Sequence, residues 1–137
     1  MPKSIMAPID LAHTEALGAA VTEAAQLAKM SEATLTLVGV TGSAASEAAH
    51  NPAEFEEKLA AYAGEVGERF GLKVEHQMLV SHDVAVDLGP VLIDASAKIG
   101  ADLIVMASHA PGLLEHVFAS NAGYVASHAK CSVYVVR

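Results

Sequence analysis

Cysteine is nearly missing from this chain. Cys131 is the only one, so no disulfide can close within a single copy, and thiol usage this sparse fits a reducing compartment. Basic residues are also scarce: eight stand against sixteen acidic ones, for a net charge of −8. A balance this acidic offers no electrostatic footprint for nucleic acid and no attraction to anionic membrane surfaces. Long apolar runs are absent, because charges or turn residues interrupt each one before it reaches membrane-spanning length. The opening Met1-Pro2-Lys3-Ser4-Ile5 enters a short apolar segment without the pattern of a signal peptide, so a cytoplasmic location is expected. Low-complexity tracts, linkers and repeats with periods of about 20–50 residues are missing too.

What is present suffices for a packed core. Over 137 residues, 53% are hydrophobic and 18% charged, enough apolar surface to offset the entropy of ordering one domain spanning residues 1–137. Apolar runs of strand length alternate with patterns of helical period. Ser4 to Ile9 reads as a buried strand, and Thr14 then caps a helix carrying Leu17, Val21, Ala24 and Ala28 on one face. Thr34 to Val40 reads as a second strand, rich in β-branched residues. Residues 41–50 are small and polar.

Asn51-Pro52-Ala53-Glu54 has the form of a helix start, with Phe55, Leu59, Tyr62, Val66 and Phe70 as the buried stripe and Gly71 as the stop. Lys73 to Val80 is the third strand. Asp87 is expected to cap the third helix, which places Pro90 in its first turn and Leu88, Leu92, Ala95 and Ile99 on its buried side. Leu103 to Met106 is the most apolar strand. A last helix from about Ser120 to Ala129 and a strand from Val133 to Arg137 complete the series. Regular alternation of this kind implies an α/β fold with a five-stranded parallel sheet and helices on both faces. In the order 3-2-1-4-5, the ligand crevice lies at the carboxyl ends of the first and fourth strands. The residues to inspect there are Pro8, Ile9 and Asp10, and those following Met106. Asp10 could accept hydrogen bonds from a sugar or base, or could simply tie down the turn that follows it.

Three segments resemble the universal stress protein family. They are Ile5-Met6-Ala7-Pro8-Ile9-Asp10; Asp102-Leu103-Ile104-Val105-Met106-Ala107-Ser108-His109; and Ser120-Asn121-Ala122 followed by His128-Ala129-Lys130-Cys131-Ser132-Val133-Tyr134-Val135-Val136-Arg137. The similarity is greatest to the small bacterial members of the UspF/UspG-like group; residues 41–85 add little to it. It implies the five-strand fold just described, a homodimer, and a cleft for an adenine nucleotide such as ATP, ADP or AMP. The matching positions are Pro8, Ile9, Asp10 and Val40 for adenine and ribose. For the phosphates they are Met106, Ala107, Ser108, His109, Ala110, Ala119, Ser120 and Asn121.

The phosphate loop departs from the family pattern. Its glycines are replaced by Ala107, Ala110 and Ala119, while Gly112 stands out of register. Glycine serves such loops through positive φ and close backbone approach to phosphate. From Ala107 to Ala122 there is no Lys or Arg, so the charge-assisted bonds available to ATP-binding relatives are missing. Weak nucleotide binding follows as the expectation, with ATP penalised more than AMP or ADP. The alternative is a nucleotide-independent dimeric scaffold of the same fold.

Enzymatic chemistry is not expected. Ser108-His109 lacks a nucleophile elbow, no phosphate-binding Gly-x-x-x-x-Gly-Lys motif exists, and the pyrophosphate loop of adenine-nucleotide α-hydrolases is missing. His13, His82 and His116 lie where they can face the crevice, but their spacing is not that of metal ligands, and no metal is expected. Cys131 reads as a small buried hydrophobe. The strand at Ser132 to Arg137 is an apolar sheet edge, and an edge of that kind invites antiparallel pairing with its own copy about Tyr134.

Overall fold

The computed structural model describes residues 1–15, 17–42, 49–82, 84–107 and 117–137, with the backbone alone at 85, 86 and 117–120. Five strands form one sheet: β1 (Ser4–Ile9), β2 (Thr34–Thr41), β3 (Val74–Val80), β4 (Leu103–Ala107) and β5 (Ser132–Val136). Its order is β3-β2-β1-β4-β5. Every pairing is parallel, as the alternating pattern implies. Four helices connect the strands: α1 (Gly18–Ser31), α2 (Pro52–Phe70), α3 (Val84–Ile99) and α4 (Val117–His128).

The two-residue period of the strands builds two cores, one on each face of the sheet. Ile5, Ala7 and Ile9 of β1 join Leu35 and Leu37 of β2 beneath α1 and α2, against Val21, Ala24, Phe55, Leu59 and Val66. Met6 of β1, Val38 of β2, and Ile104 and Met106 of β4 point the other way, against Leu88, Leu92 and Ala95 of α3 and Val125 of α4. Tyr62 and Phe70 sit at the margin of the first core, partly exposed.

α2 starts and stops where its sequence says. Asn51 accepts from the Glu54 N–H at 2.9 Å, Pro52 opens the first turn, and Gly71 closes the helix at φ 69°. Three other helix starts differ from expectation. Thr14 does not cap α1; it ends a single 3-10 turn, Leu11–His13, and α1 begins after Leu17 without a side-chain cap. The reason is Asp10, which captures the Ala12 N–H at 3.1 Å and so winds the chain into that turn first. α3 begins at Val84, so Asp87 is a first-turn residue rather than the cap, and Pro90 lies inside the helix. Val84 packs on the second core, and the Ser81 hydroxyl donates to Asp87 Oδ2 at 3.2 Å, which fixes the earlier start. α4 likewise begins at Val117 rather than Ser120, and it stops at His128.

Candidate functional site

Strand order reverses between β1 and β4, and the ladder between them is short. Only Ile5 and Met6 pair, with Leu103 and Ile104, whereas β1 pairs with β2 along its whole length. Both strands continue past the last rung, to Ile9 and Ala107, with no ladder between them. A crevice therefore opens at the carboxyl rim, where ligands of doubly wound sheets bind. The β1–β2 register sets Ile9 against Gly39, so the next residues along, Asp10 and Val40, come side by side at this rim.

Asp10 is the one charged side chain the structure describes at the end of β1. Its Oδ1 accepts from the Ala12 N–H at 3.1 Å, and its Oδ2 accepts from His13 Nδ1 at 3.0 Å. A carboxylate only accepts, so Nδ1 carries the proton, and in a neutral ring Nε2 is the free acceptor. Both side chains keep partial access to solvent, 28% for Asp10 and 35% for His13. Asp10 thus performs the turn-fixing role that its position allowed, while each carboxylate oxygen retains a lone pair for a further donor.

The other expected site residues divide by what their side chains touch. Ile9 is buried in the first core and Met106 in the second, so only their backbones can reach a ligand at the rim. Pro8 is buried as well. Val40 is half-buried against the second core. The Ala107 methyl packs with Leu17, just before α1, and with Ala20 of α1. Glu32 is the only non-glycine residue with positive φ among the described residues, so Ala107 and Ala119 carry no left-handed strain. Asn121 turns its amide towards α3, where a Cβ added at Gly89 would lie 2.9 Å from its Oδ1. Ser108, His109, Ala110 and His116 lie outside the described residues, and at Ala119 and Ser120 only the helical backbone is described.

Reasoning from sequence named His13 as one of several histidines and did not pair it with Asp10; the three-residue spacing across a turn was the available signal. It also missed the lock at the neighbouring rim, where the Ser81 N–H donates to the Thr41 carbonyl at 2.9 Å and the Ser81 hydroxyl to Asp87. His82 is exposed beside that lock. Cys131 is half-buried against the second core, and burial pushes its thiol above the ordinary range. Among the described residues no group of three or more His, Cys, Asp or Glu could hold a metal ion. No helix among them is long and apolar enough to cross a membrane.

Comparison with known proteins decides what this architecture is. The model of the universal stress protein family matches residues 1–137. This chain belongs to the universal stress protein family. Universal stress protein G of Shigella flexneri and that of Escherichia coli O157:H7 are each 32% identical to it over 146 aligned positions, which take in the whole of both chains. Solved universal stress proteins share its fold at lower identity. One from Archaeoglobus fulgidus superimposes with a TM-score of 0.73 at 19% identity over all of both chains. A universal stress protein from the same organism in complex with dAMP gives 0.69 at 17%, covering 98% of each chain. Another, in complex with cAMP, gives 0.68 at 18%, covering 99% of this chain and 97% of that one. The universal stress protein fold is thus present, with Asp10 and Val40 side by side at the carboxyl rim of its sheet.

Proposed function

We propose that residues 1–137 form one universal stress protein domain that takes an adenine nucleotide weakly in the β1/β4 crevice and works as a homodimer. The observation that carries this reading is the placing of Asp10 beside the opening between β1 and β4, on a fold whose solved relatives include complexes with dAMP and cAMP. Asp10 would accept from ribose hydroxyls or the adenine amine, with Pro8, Ile9 and Val40 as the backbone and apolar walls. The segment from Met106 through Ser108, His109 and Ala110, together with Ala119, Ser120 and Asn121, would meet the phosphate end. No cation stands in that segment, so a phosphate rests on neutral donors and on the start of α4. Charge-assisted bonds are about twice as strong as neutral ones, which disfavours ATP more than AMP. Binding rather than turnover is the activity, and the cytoplasm is the location that suits it.

The alternative reading, a nucleotide-independent dimeric scaffold, draws on a different observation: both Asp10 oxygens already have partners within the chain. A single experiment separates the two. Freshly purified protein is denatured and its supernatant chromatographed for adenine nucleotide, and the folded protein is titrated with AMP, ADP and ATP by calorimetry. Nucleotide binding predicts saturable AMP binding that is weakened by about tenfold or more in Asp10→Asn, which keeps an oxygen for the Ala12 N–H but loses the charge. Absence of released nucleotide, together with no heat from any of the three at millimolar concentration, establishes the scaffold instead.

A further inference from the structure

At the opposite rim of the sheet lies a second concavity. It occupies about 550 Å³ between α3 and α4, beside Ala101 and Cys131, the residues that lead into β4 and β5. That volume falls within the range of roughly 300–1,000 Å³ common to small-molecule sites. Ile93, Ala97, Ala101 and the half-buried Cys131 give it apolar lining. One wall is aromatic: the Tyr124 and His128 rings stack with centroids 4.1 Å apart and planes 17° apart. The stack is fixed from below, because His128 Nδ1 donates to the Tyr124 carbonyl at 2.9 Å and Tyr124 packs directly on Gly89. Although fixed, Tyr124 remains 40% exposed.

One cation at this groove is open to an anion. Lys130 lines it and makes no ion pair among the described residues. Asp94, on the facing helix, is offset by Lys98 at 3.0 Å. Asp102, the next carboxylate, is tied to the Lys3 and Ser4 N–H groups and is not among the residues lining the groove. One unpaired cation lining a largely apolar groove with an aromatic wall suits one kind of ligand. We infer that the α3–α4 groove binds a planar aromatic carboxylate, its ring laid against Tyr124 and His128 and its carboxylate on Lys130. The site does not depend on the nucleotide reading, since it uses none of the same residues and lies at the other end of the strands.

The test titrates the 15N-labelled full chain with 2-naphthoate and, in parallel, with the neutral 2-naphthamide. Expected are saturable shifts of the Ala97, Ala101 and Cys131 amides with naphthoate, undiminished by AMP. Lys130→Gln should weaken naphthoate by about threefold, the scale of an exposed ion pair, and leave naphthamide unchanged. Ala97→Phe fills the slot from an exposed helix position and should abolish both sets of shifts while the rest of the spectrum persists. Shifts gathered around Asp10, equal affinity for the two probes, insensitivity to Ala97→Phe, or no shift at millimolar probe would each overturn the assignment.

Discussion

Glu32 closes α1 in the left-handed conformation, at φ 56° and ψ 37°, where a side chain normally costs about 1–2 kcal/mol. Glu32→Gly should therefore stabilise the protein by about 1 kcal/mol, read as a higher urea midpoint at unchanged slope. Asp102 shows the opposite economy. Its carboxylate accepts from the Lys3 and Ser4 N–H groups at 2.9–3.2 Å, and these bonds hold its pKa below the ordinary carboxylate value. A carboxyl group with a lowered native pKa stabilises the fold above its unfolded pKa, and that stabilisation disappears as pH falls through the native value. Asp102→Asn should be the less stable protein near neutrality, with the gap to wild type closing on acidification; unfolding midpoints across acidic pH read this directly. Neither feature was legible beforehand. Glutamate carries no turn signature at Glu32, and Asp102 finds its partners 98 and 99 residues away. Asp10 was legible only as a pair of alternatives, because its local partners, Ala12 and His13, are what a turn residue and a site residue have in common.

Helices and strands were easier to read than the points where they begin. α2 carried its own punctuation in Asn51, Pro52 and Gly71, and the structure follows it. α3 starts four residues earlier than its local signal suggests, because Val84 is drawn onto the core and Ser81 reaches Asp87 across the turn, and α4 starts three residues earlier, at Val117. Periodicity located the faces of these helices, but the contact distances between elements depend on glycines whose role only the fold reveals. Gly39 on β2 is one: an added Cβ would stand 2.7 Å from Phe55 Cε1, under α2. Gly39→Ala should destabilise the protein by about 1–3 kcal/mol, the usual cost of overpacking, seen as a lower thermal midpoint. Phe55→Ala, which empties the same contact from the other side, should cost about 3–5 kcal/mol. Tertiary approach of this sort leaves no mark on local sequence, so Gly39 read simply as part of a strand.

For the whole molecule, the parallel sheet and its two-sided core followed from the alternation of apolar runs, since a parallel sheet must be covered on both faces, whereas alternation alone does not fix the strand order that the structure shows. β5 is an edge, as that order requires, and Tyr134 on it is 39% exposed. If copies pair along β5 about a two-fold axis at Tyr134, Tyr134→Glu sets two like charges face to face and should convert dimer to monomer, measured by light scattering. A wild-type chain that is monomeric at every concentration removes this pairing. The short β1–β4 ladder has a mechanical meaning as well. Two rungs, at Met6 and Ile104 and the pair beneath them, join a three-strand slab to a two-strand one. Beyond those rungs no backbone ladder joins the two slabs, and only side-chain packing, including that under α1, holds the seam. Amides along the unbound seam should exchange with solvent sooner than those of the β1–β2 ladder, and any molecule seated across it would act as a clasp, slowing that exchange without touching a single core side chain.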